Sequence, residues 1–171
     1  VVKNDAGTLL FSLANTYGGS TLVNAGTLRA GLANVLPARS PLVVAAGATF
    51  DPNGLGQSIG SLAGAGSVHN SSTSTSAATI TVGRNDNSTL FTGTLTASAD
   101  NRLALTKIGS GTLTLRPSVA STYTGTTTVQ GGTLELDFAN SGALTSLLGA
   151  SALSLASGDF TLRGRAGLAA V

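Results

Sequence analysis

The sequence predicts an all-β solenoid, in which short parallel strands wind into a stack of roughly eight coils. Three observations carry that prediction. The chain says nearly the same thing twice, once at about residues 6–30 and again at about residues 105–136. Glycine tags before short apolar strands recur through the rest of it, at Gly7, Gly26, Gly47, Gly66, Gly93, Gly111, Gly132 and Gly158. Wherever a tag occurs, apolar and polar residues alternate with the period of a strand. Most tags lie about 20 residues apart, which is too short for the roughly 30 residues of a βαβ crossover and suits one solenoid circuit with two or three strands.

The first copy reads AGTLLFSLANTYGGSTLVNAGTLRA (residues 6–30) and the second SGTLTLRPSVASTYTGTTTVQGGTLEL (residues 110–136). Aligned on Tyr17 and Tyr123, they also match Gly19 with Gly125, Val23 with Val129, and Gly26, Thr27, Leu28 with Gly132, Thr133, Leu134. In GTLTLR, Leu113 and Leu115 face one way and Thr112, Thr114 and Arg116 the other. Leu28 and Leu134 are therefore inward positions, and the next position outward accepts either Arg29 or Glu135. Between the copies, DPNG (51–54) and GRNDN (83–87) read as corners, because Gly and Asn tolerate the positive φ that tight turns require. Residues 70–77, NSSTSTSA, are polar and aperiodic and read as a mobile loop or a protruding turn. Leu144, Leu147 and Leu148 stand at helical spacing, which predicts a short helical turn before strand alternation resumes at Leu153.

Composition narrows the class further. With 9% charged and 4% aromatic residues but 42% hydrophobic ones, the 171-residue chain is too apolar for a disordered tail. Cysteine is absent, so there is no disulfide framework, thiol nucleophile or Cys-based zinc site. That absence suits a chain that crosses an oxidising compartment unfolded. The nine Lys and Arg residues are scattered and lack interleaved aromatics, which argues against a nucleic-acid face. No apolar run approaches the ~18 to 20 residues of a membrane-spanning helix. The opening VVKNDAG, without an initiating Met or signal peptide, and the ending in mid-pattern read as a piece of something longer.

Residues 105–136, LTKIGSGTLTLRPSVASTYTGTTTVQGGTLEL, resemble the passenger-associated transport repeat of bacterial autotransporters. Its Lys-x-Gly-x-Gly-Thr-Leu-x-Leu strand, Tyr-x-Gly-x-Thr turn and Gly-Gly-Thr-Leu strand fall on Lys107, Gly109, Gly111, Thr112, Leu113, Leu115, Tyr123, Gly125, Thr127, Gly132, Thr133 and Leu134. The first copy repeats the pattern at Tyr17, Gly19, Gly26, Thr27 and Leu28, although Gly18 follows Tyr17 where the second copy has Thr124. The resemblance implies a right-handed parallel β-helix, a single segment spanning residues 1–171 of a longer type V secreted passenger. It also implies display at the cell surface or release beyond the outer membrane. The partner it implies is the C-terminal outer-membrane β-barrel of the same polypeptide. No enzyme, cofactor or metal is expected. The implied role is a stalk that assists its own export, and the alternative is an adhesin or a self-associating surface.

Motifs that suggest chemistry have plainer readings. GQSIG (56–60) fits the Gly-x-Ser-x-Gly elbow, but no helix follows Ser58 and the sole histidine, His69, sits in a polar turn. Glu135 and Asp137 share a strand face at i and i+2, as paired acids do in some sugar-cleaving solenoids; with no aromatic sugar platform they read as a solvated pair. Asn85 to Asn87 reads as a turn before it reads as a calcium site. Outward threonines at 79, 81, 94, 96, 112, 114, 126 and 128 form rows, but uneven coil lengths argue against an ice-binding lattice. Asn70-Ser71-Ser72 and Asn87-Ser88-Thr89 match the glycosylation triplet, which arises readily by chance.

Overall fold

The structure is a computed structural model that describes residues 1–73, 77–98, 102–139, 147–149 and 151–164. The first two circuits run β1 (Val2–Lys3) and β2 (Thr8–Phe11), then β3 (Thr21–Val23) and β4 (Thr27–Ala30). Three fuller circuits follow. They are β5 (Pro41–Val44), β6 (Thr49–Asp51) and β7 (Gln57–Ile59); β8 (Ser61–Gly64), β9 (Ser67–Asn70) and β10 (Ala78–Val82); and β11 (Thr89–Phe91), β12 (Thr94–Ala97) and β13 (Leu103–Lys107). The remaining strands are β14 (Thr112–Leu115), β15 (Thr127–Val129), β16 (Thr133–Asp137), β17 (Leu153–Leu155) and β18 (Asp159–Arg163).

These strands stack into three parallel sheets. Sheet A runs β1-β3-β5-β8-β11-β14-β16-β18, sheet B runs β2-β4-β6-β9-β12, and sheet C runs β7-β10-β13-β15-β17. The chain is thus a right-handed parallel β-helix. Its eight passages through sheet A bound about seven full turns. Coil length varies, from 20 residues between the paired Pro41 and Ser61 to 27 between the paired Gly64 and Phe91, and most of the surplus is spent in corners.

Alternation does what the sequence pattern requires. Leu113 pairs with Leu134 and Leu115 with Leu136 on the inner face, while Thr114 pairs with Glu135 outside. Leu28, Phe50 and Val68 are stacked in register inside sheet B and are fully buried. Leu42 and Leu62 do the same in sheet A, and Ile80 and Leu105 in sheet C. Burying such ranks while the strand N–H and C=O groups of interior coils find neighbours on both sides is what makes a coil stable only within the stack.

Every glycine tag stands one or two residues before a strand, but the tags do not mark one face. Gly7, Gly26, Gly47, Gly66 and Gly93 introduce strands of sheet B, whereas Gly111, Gly132 and Gly158 introduce strands of sheet A. The tight corner has moved round the solenoid by one face between Gly93 and Gly111. The two repeat copies therefore lie on different faces: β4 of the first belongs to sheet B and its counterpart β16 to sheet A.

Two expectations are corrected. Asn70 is the last residue of β9 and is 1% exposed, so it belongs to the body of the fold and not to a polar loop. Asp137 is 2% exposed and pairs with Arg116 at 3.6 Å and Arg163 at 3.9 Å, so Glu135 and Asp137 are not a solvated pair. Of the predicted helical turn, Leu144 lies outside the described residues; Leu147 and Leu148 are buried in the core cluster.

Candidate functional site

The repeat motif assembles two kinds of polar latch, and each kind occurs in both copies. In the first, a tyrosine folds over the corner it precedes. Tyr123 Oη lies 2.7 Å from Thr127 Oγ1, which lies 2.8 Å from Ser151 Oγ, and the Ser151 hydroxyl donates to the Gly125 carbonyl at 2.6 Å. In the first copy Tyr17 Oη lies 2.6 Å from Thr21 Oγ1, which lies 3.2 Å from Ser40 Oγ, and Ser40 donates to the Gly19 carbonyl at 2.8 Å. The serine comes from the next coil in each case, so the chain of hydroxyls closes only when that coil is in place. Tyr123 is fully buried and Tyr17 half-buried. Burial pushes both phenols above their ordinary pKa, and the hydrogen bonds from Thr127 and Ser151, or from Thr21 and Ser40, partly offset this.

The second latch is a buried lysine. Lys107 ends β13 at 1% exposed, and its ammonium donates to the carbonyls of Ile108 (2.6 Å), Gly109 (3.1 Å) and, in the following coil, Gly131 (3.1 Å). Lys3 ends β1 in the same way, donating to the Asp5 carbonyl and to Ala25 of the following coil at 3.2 Å. A charged donor facing several corner carbonyls makes stronger hydrogen bonds than a neutral one. Burial pulls the Lys107 ammonium below the ordinary lysine range, and the nearby charge of Asp86 opposes that. The corner above leaves no room for a side chain: Gly132 has φ +59°, and a Cβ there would stand 2.4 Å from the carbonyl oxygens of Gly109 and Gly111. Gly26 repeats this, with φ +66° and the oxygens of Asp5 and Gly7 at 2.4 Å.

The other motif residues frame these latches. Gly109 and Gly111 form the turn that Lys107 caps, Thr112 pairs with Thr133 on the outer face, and Leu113 pairs with Leu134 inside. In the first copy Thr27 and Leu28 pair with Thr49 and Phe50. Four participants were missed by sequence reasoning. Lys3 and Thr21 carried a signal, since Lys3 precedes Gly7 by the same four residues that separate Lys107 from Gly111, and Thr21 follows Tyr17 as Thr127 follows Tyr123. Ser40 and Ser151 carried none, because both lie beyond the repeated stretch.

The chemistry-bearing motifs stay apart. Ser58 points outward from sheet C and accepts from Arg84 Nε at 2.5 Å, while His69 lies on sheet B with its ring nitrogens at 2.9 Å from Thr96 Oγ1 and 3.2 Å from Ser98 Oγ. Among the described residues no base addresses Ser58. Asn70 cannot present an accessible amide, since its side chain accepts from Gly54 N–H at 2.7 Å and donates to the Arg102 carbonyl at 2.9 Å. Asn85 Oδ1 accepts from the Asn87 N–H at 3.2 Å, closing the predicted turn. Threonine rows do align despite uneven coils, as Thr81, Thr106 and Thr128 are in register on sheet C. Among the described residues, no three His, Asp or Glu side chains converge as a metal site, and no helix is long and apolar enough to cross a membrane.

Comparison with known proteins returns to the same latches. The passenger-associated-transport-repeat family matches residues 1–30 and 105–136, the stretches that contain Lys3, Tyr17 and Thr21, and Lys107, Tyr123 and Thr127. Over 151 residues the chain is 38% identical to the adhesin BmaC autotransporter of Brucella suis biovar 1 (strain 1330). That alignment takes in 87% of this chain and 4% of the relative, so the chain spans a small fraction of the protein it matches. No solved structure gives a significant match. Repeats, fold and relative together make the chain an autotransporter passenger segment with passenger-associated transport repeats, surface-exposed or secreted by way of the outer membrane.

Proposed function

We propose that the chain is a non-enzymatic β-helical stalk, one segment of a longer passenger, that supports its own folding and translocation across the outer membrane. Its partner in that process is the C-terminal outer-membrane β-barrel of the same polypeptide. The observation that carries this reading is the reach of the latches: Lys3 to Ala25, Lys107 to Gly131, Thr21 to Ser40 and Thr127 to Ser151 each join one coil to the next. A coil gains its polar partners only by docking on a neighbour, so folding outside the cell proceeds rung by rung, and each added rung opposes backsliding through the pore. In the full-length protein, Leu113→Asp and Leu134→Asp should sharply reduce surface display, while Thr106→Asp, outward between Thr81 and Thr128, leaves it intact. Full display of the Leu variants overturns the proposal.

A second reading, an adhesive or self-associating face, is supported by the outer side of sheet A. There Val2, Leu22, Val43, Ala63 and Leu90 stand in register over five coils, with Val2 55% and Leu90 38% exposed. Under this reading the chain sediments as concentration-dependent oligomers and Val43→Glu returns it to a monomer; a parent chain that stays monomeric refutes it.

A further inference from the structure

The outer face of sheet B, like that of sheet C, carries a rank of threonines, and it adds beside them a rank held by an ion pair. Thr8, Thr27 and Thr49 stand in register along it, about 4.8 Å apart from strand to strand. Their hydroxyls have no protein partner among the described residues, whereas Thr94 and Ser67, further along the same rank, bond to each other at 3.4 Å. Beside the free hydroxyls runs a second rank of Arg29, Asp51 and His69. Together they line a depression of about 290 Å³, near the lower end of ordinary ligand pockets.

The second rank is built and held. Asp51 is 3% exposed; its Oδ1 accepts from the backbone N–H groups of Asn53 (2.8 Å) and Ser71 (3.1 Å), and its Oδ2 accepts the Ser71 hydroxyl (2.7 Å). Arg29 Nε stands 2.9 Å from the same Oδ2, off the hydrogen-bond axis, and Arg29 Nη2 donates to Ser71 Oγ at 2.5 Å. The carboxylate is thereby saturated, and the partly exposed guanidinium is tied down through Nη2, with no protein partner for its Nη1 among the described residues. Both His69 ring nitrogens are engaged with Thr96 and Ser98, so the ring closes one end of the depression. What faces the depression is a row of hydroxyls, each able to donate and accept, and one fixed donor from an ion pair with no net charge.

We propose that this groove binds the hydroxyl-rich edge of a neutral saccharide. Vicinal hydroxyls match a rank that both donates and accepts at strand spacing, whereas an anion would find only one partly neutralised cation and an apolar ligand no apolar floor. With no aromatic ring in the lining, a single site is weak, in the millimolar range, and binding in the cell gains from many copies displayed together. The proposal stands apart from the stalk reading, since a stalk that assists export needs no ligand.

The test is a titration of the ¹⁵N-labelled chain with maltose, lactose and mannobiose, followed through its amide resonances. Shifts should be confined to Thr8, Thr27, Arg29, Thr49 and their neighbours. The isosteric outward pair Thr27→Val and Thr49→Val should weaken binding tenfold or more with the remaining spectrum unchanged, Arg29→Gln should weaken it several-fold, and Thr106→Val on sheet C should leave it unaltered. No shift with any of the three sugars, shifts insensitive to the Thr27 and Thr49 changes, or binding of an acidic saccharide in preference to a neutral one each overturns the proposal.

Discussion

Replacing Lys107 with methionine keeps the length and apolar stem of the side chain and removes the ammonium alone. Three carbonyls then lose their donor: Ile108, Gly109 and Gly131. Among the described residues no backbone N–H outside the strand ladder is directed at any of them. An orphaned buried acceptor costs about 1–3 kcal/mol, and since this corner is only partly shielded we take the low end for each, giving about 3 kcal/mol in all. At 1.4 kcal/mol per decade that is more than a hundredfold in the local folding constant. For a chain of this size it lowers the thermal midpoint by about 6–12 °C. Because solenoid stability is a sum of rung and neighbour terms, the loss should concentrate where Lys107 reaches Gly131. Hydrogen exchange of the Thr133 and Thr112 amides should therefore speed up well before that of Phe50 or Val68. Methionine at 107 with the parent midpoint and parent exchange would show that the ammonium only tolerates burial, and would refute the latch.

Other consequences follow from the same geometry. Tyr123→Phe removes a buried hydroxyl bonded to Thr127 and should cost about 1 kcal/mol at neutral pH by urea unfolding. The folded pKa of Tyr123 lies above the ordinary 10.0, so the unfolded chain gives up that proton first and the parent loses stability as pH climbs past 10 toward the folded value. Lys107, with its pKa lowered, contributes the opposite slope just below 10.5, so the flatter alkaline profile of Tyr123→Phe against the parent isolates the tyrosine. Gly132→Ala puts a Cβ 2.4 Å from two carbonyl oxygens at positive φ and should destabilise by more than about 3 kcal/mol, visible as loss of soluble folded chain. Asn70→Ala cuts the ties to Gly54 and Arg102 and should lower the unfolding midpoint by the equivalent of about 2 kcal/mol, where an exposed loop asparagine would give no change.

Much of this architecture is legible before any coordinates. The alternation of Leu113, Thr114 and Leu115 dictates a two-faced strand, and the glycine tags give the circuit length, because both reflect strictly local physics. What escapes is the phase. Three faces built from the same Gly-Thr-Leu vocabulary look alike in one dimension, so nothing in the text distinguishes the sheet B corner at Gly26 from the sheet A corner at Gly132. The latches escape for a related reason. Lys3 and Thr21 repeat within the copy and are recoverable by careful alignment, but Ser40 and Ser151 are supplied by a coil outside it, and only the winding brings them to Thr21 and Thr127. Asn70 misleads because asparagine is a turn residue by propensity, and here that same hydrogen-bonding capacity is turned inward to bind Gly54 and Arg102.

The latches also answer a problem that aliphatic packing leaves open. A rank in which Leu28 meets Phe50 and Leu113 meets Leu134 is nearly indifferent to which rung lies above it, so a coil could dock one repeat out of place and still bury its leucines. A lysine ammonium is not indifferent. Lys107 finds Gly131, and Lys3 finds Ala25, only when a glycine-containing corner arrives directly above, and any other neighbour leaves a buried charge with only the carbonyls of its own corner. The two lysines therefore set register once per repeat copy, about a hundred residues apart, while leucine supplies cohesion between them. If so, Lys3→Met with Lys107→Met should retain the circular dichroism of a β-helix at low temperature but split or broaden the amide resonances of the flanking corners, as slipped and correct registers coexist. A double variant that is simply less stable, with one sharp set of resonances, would leave the lysines as fasteners and transfer the choice of register to the ranks of the core.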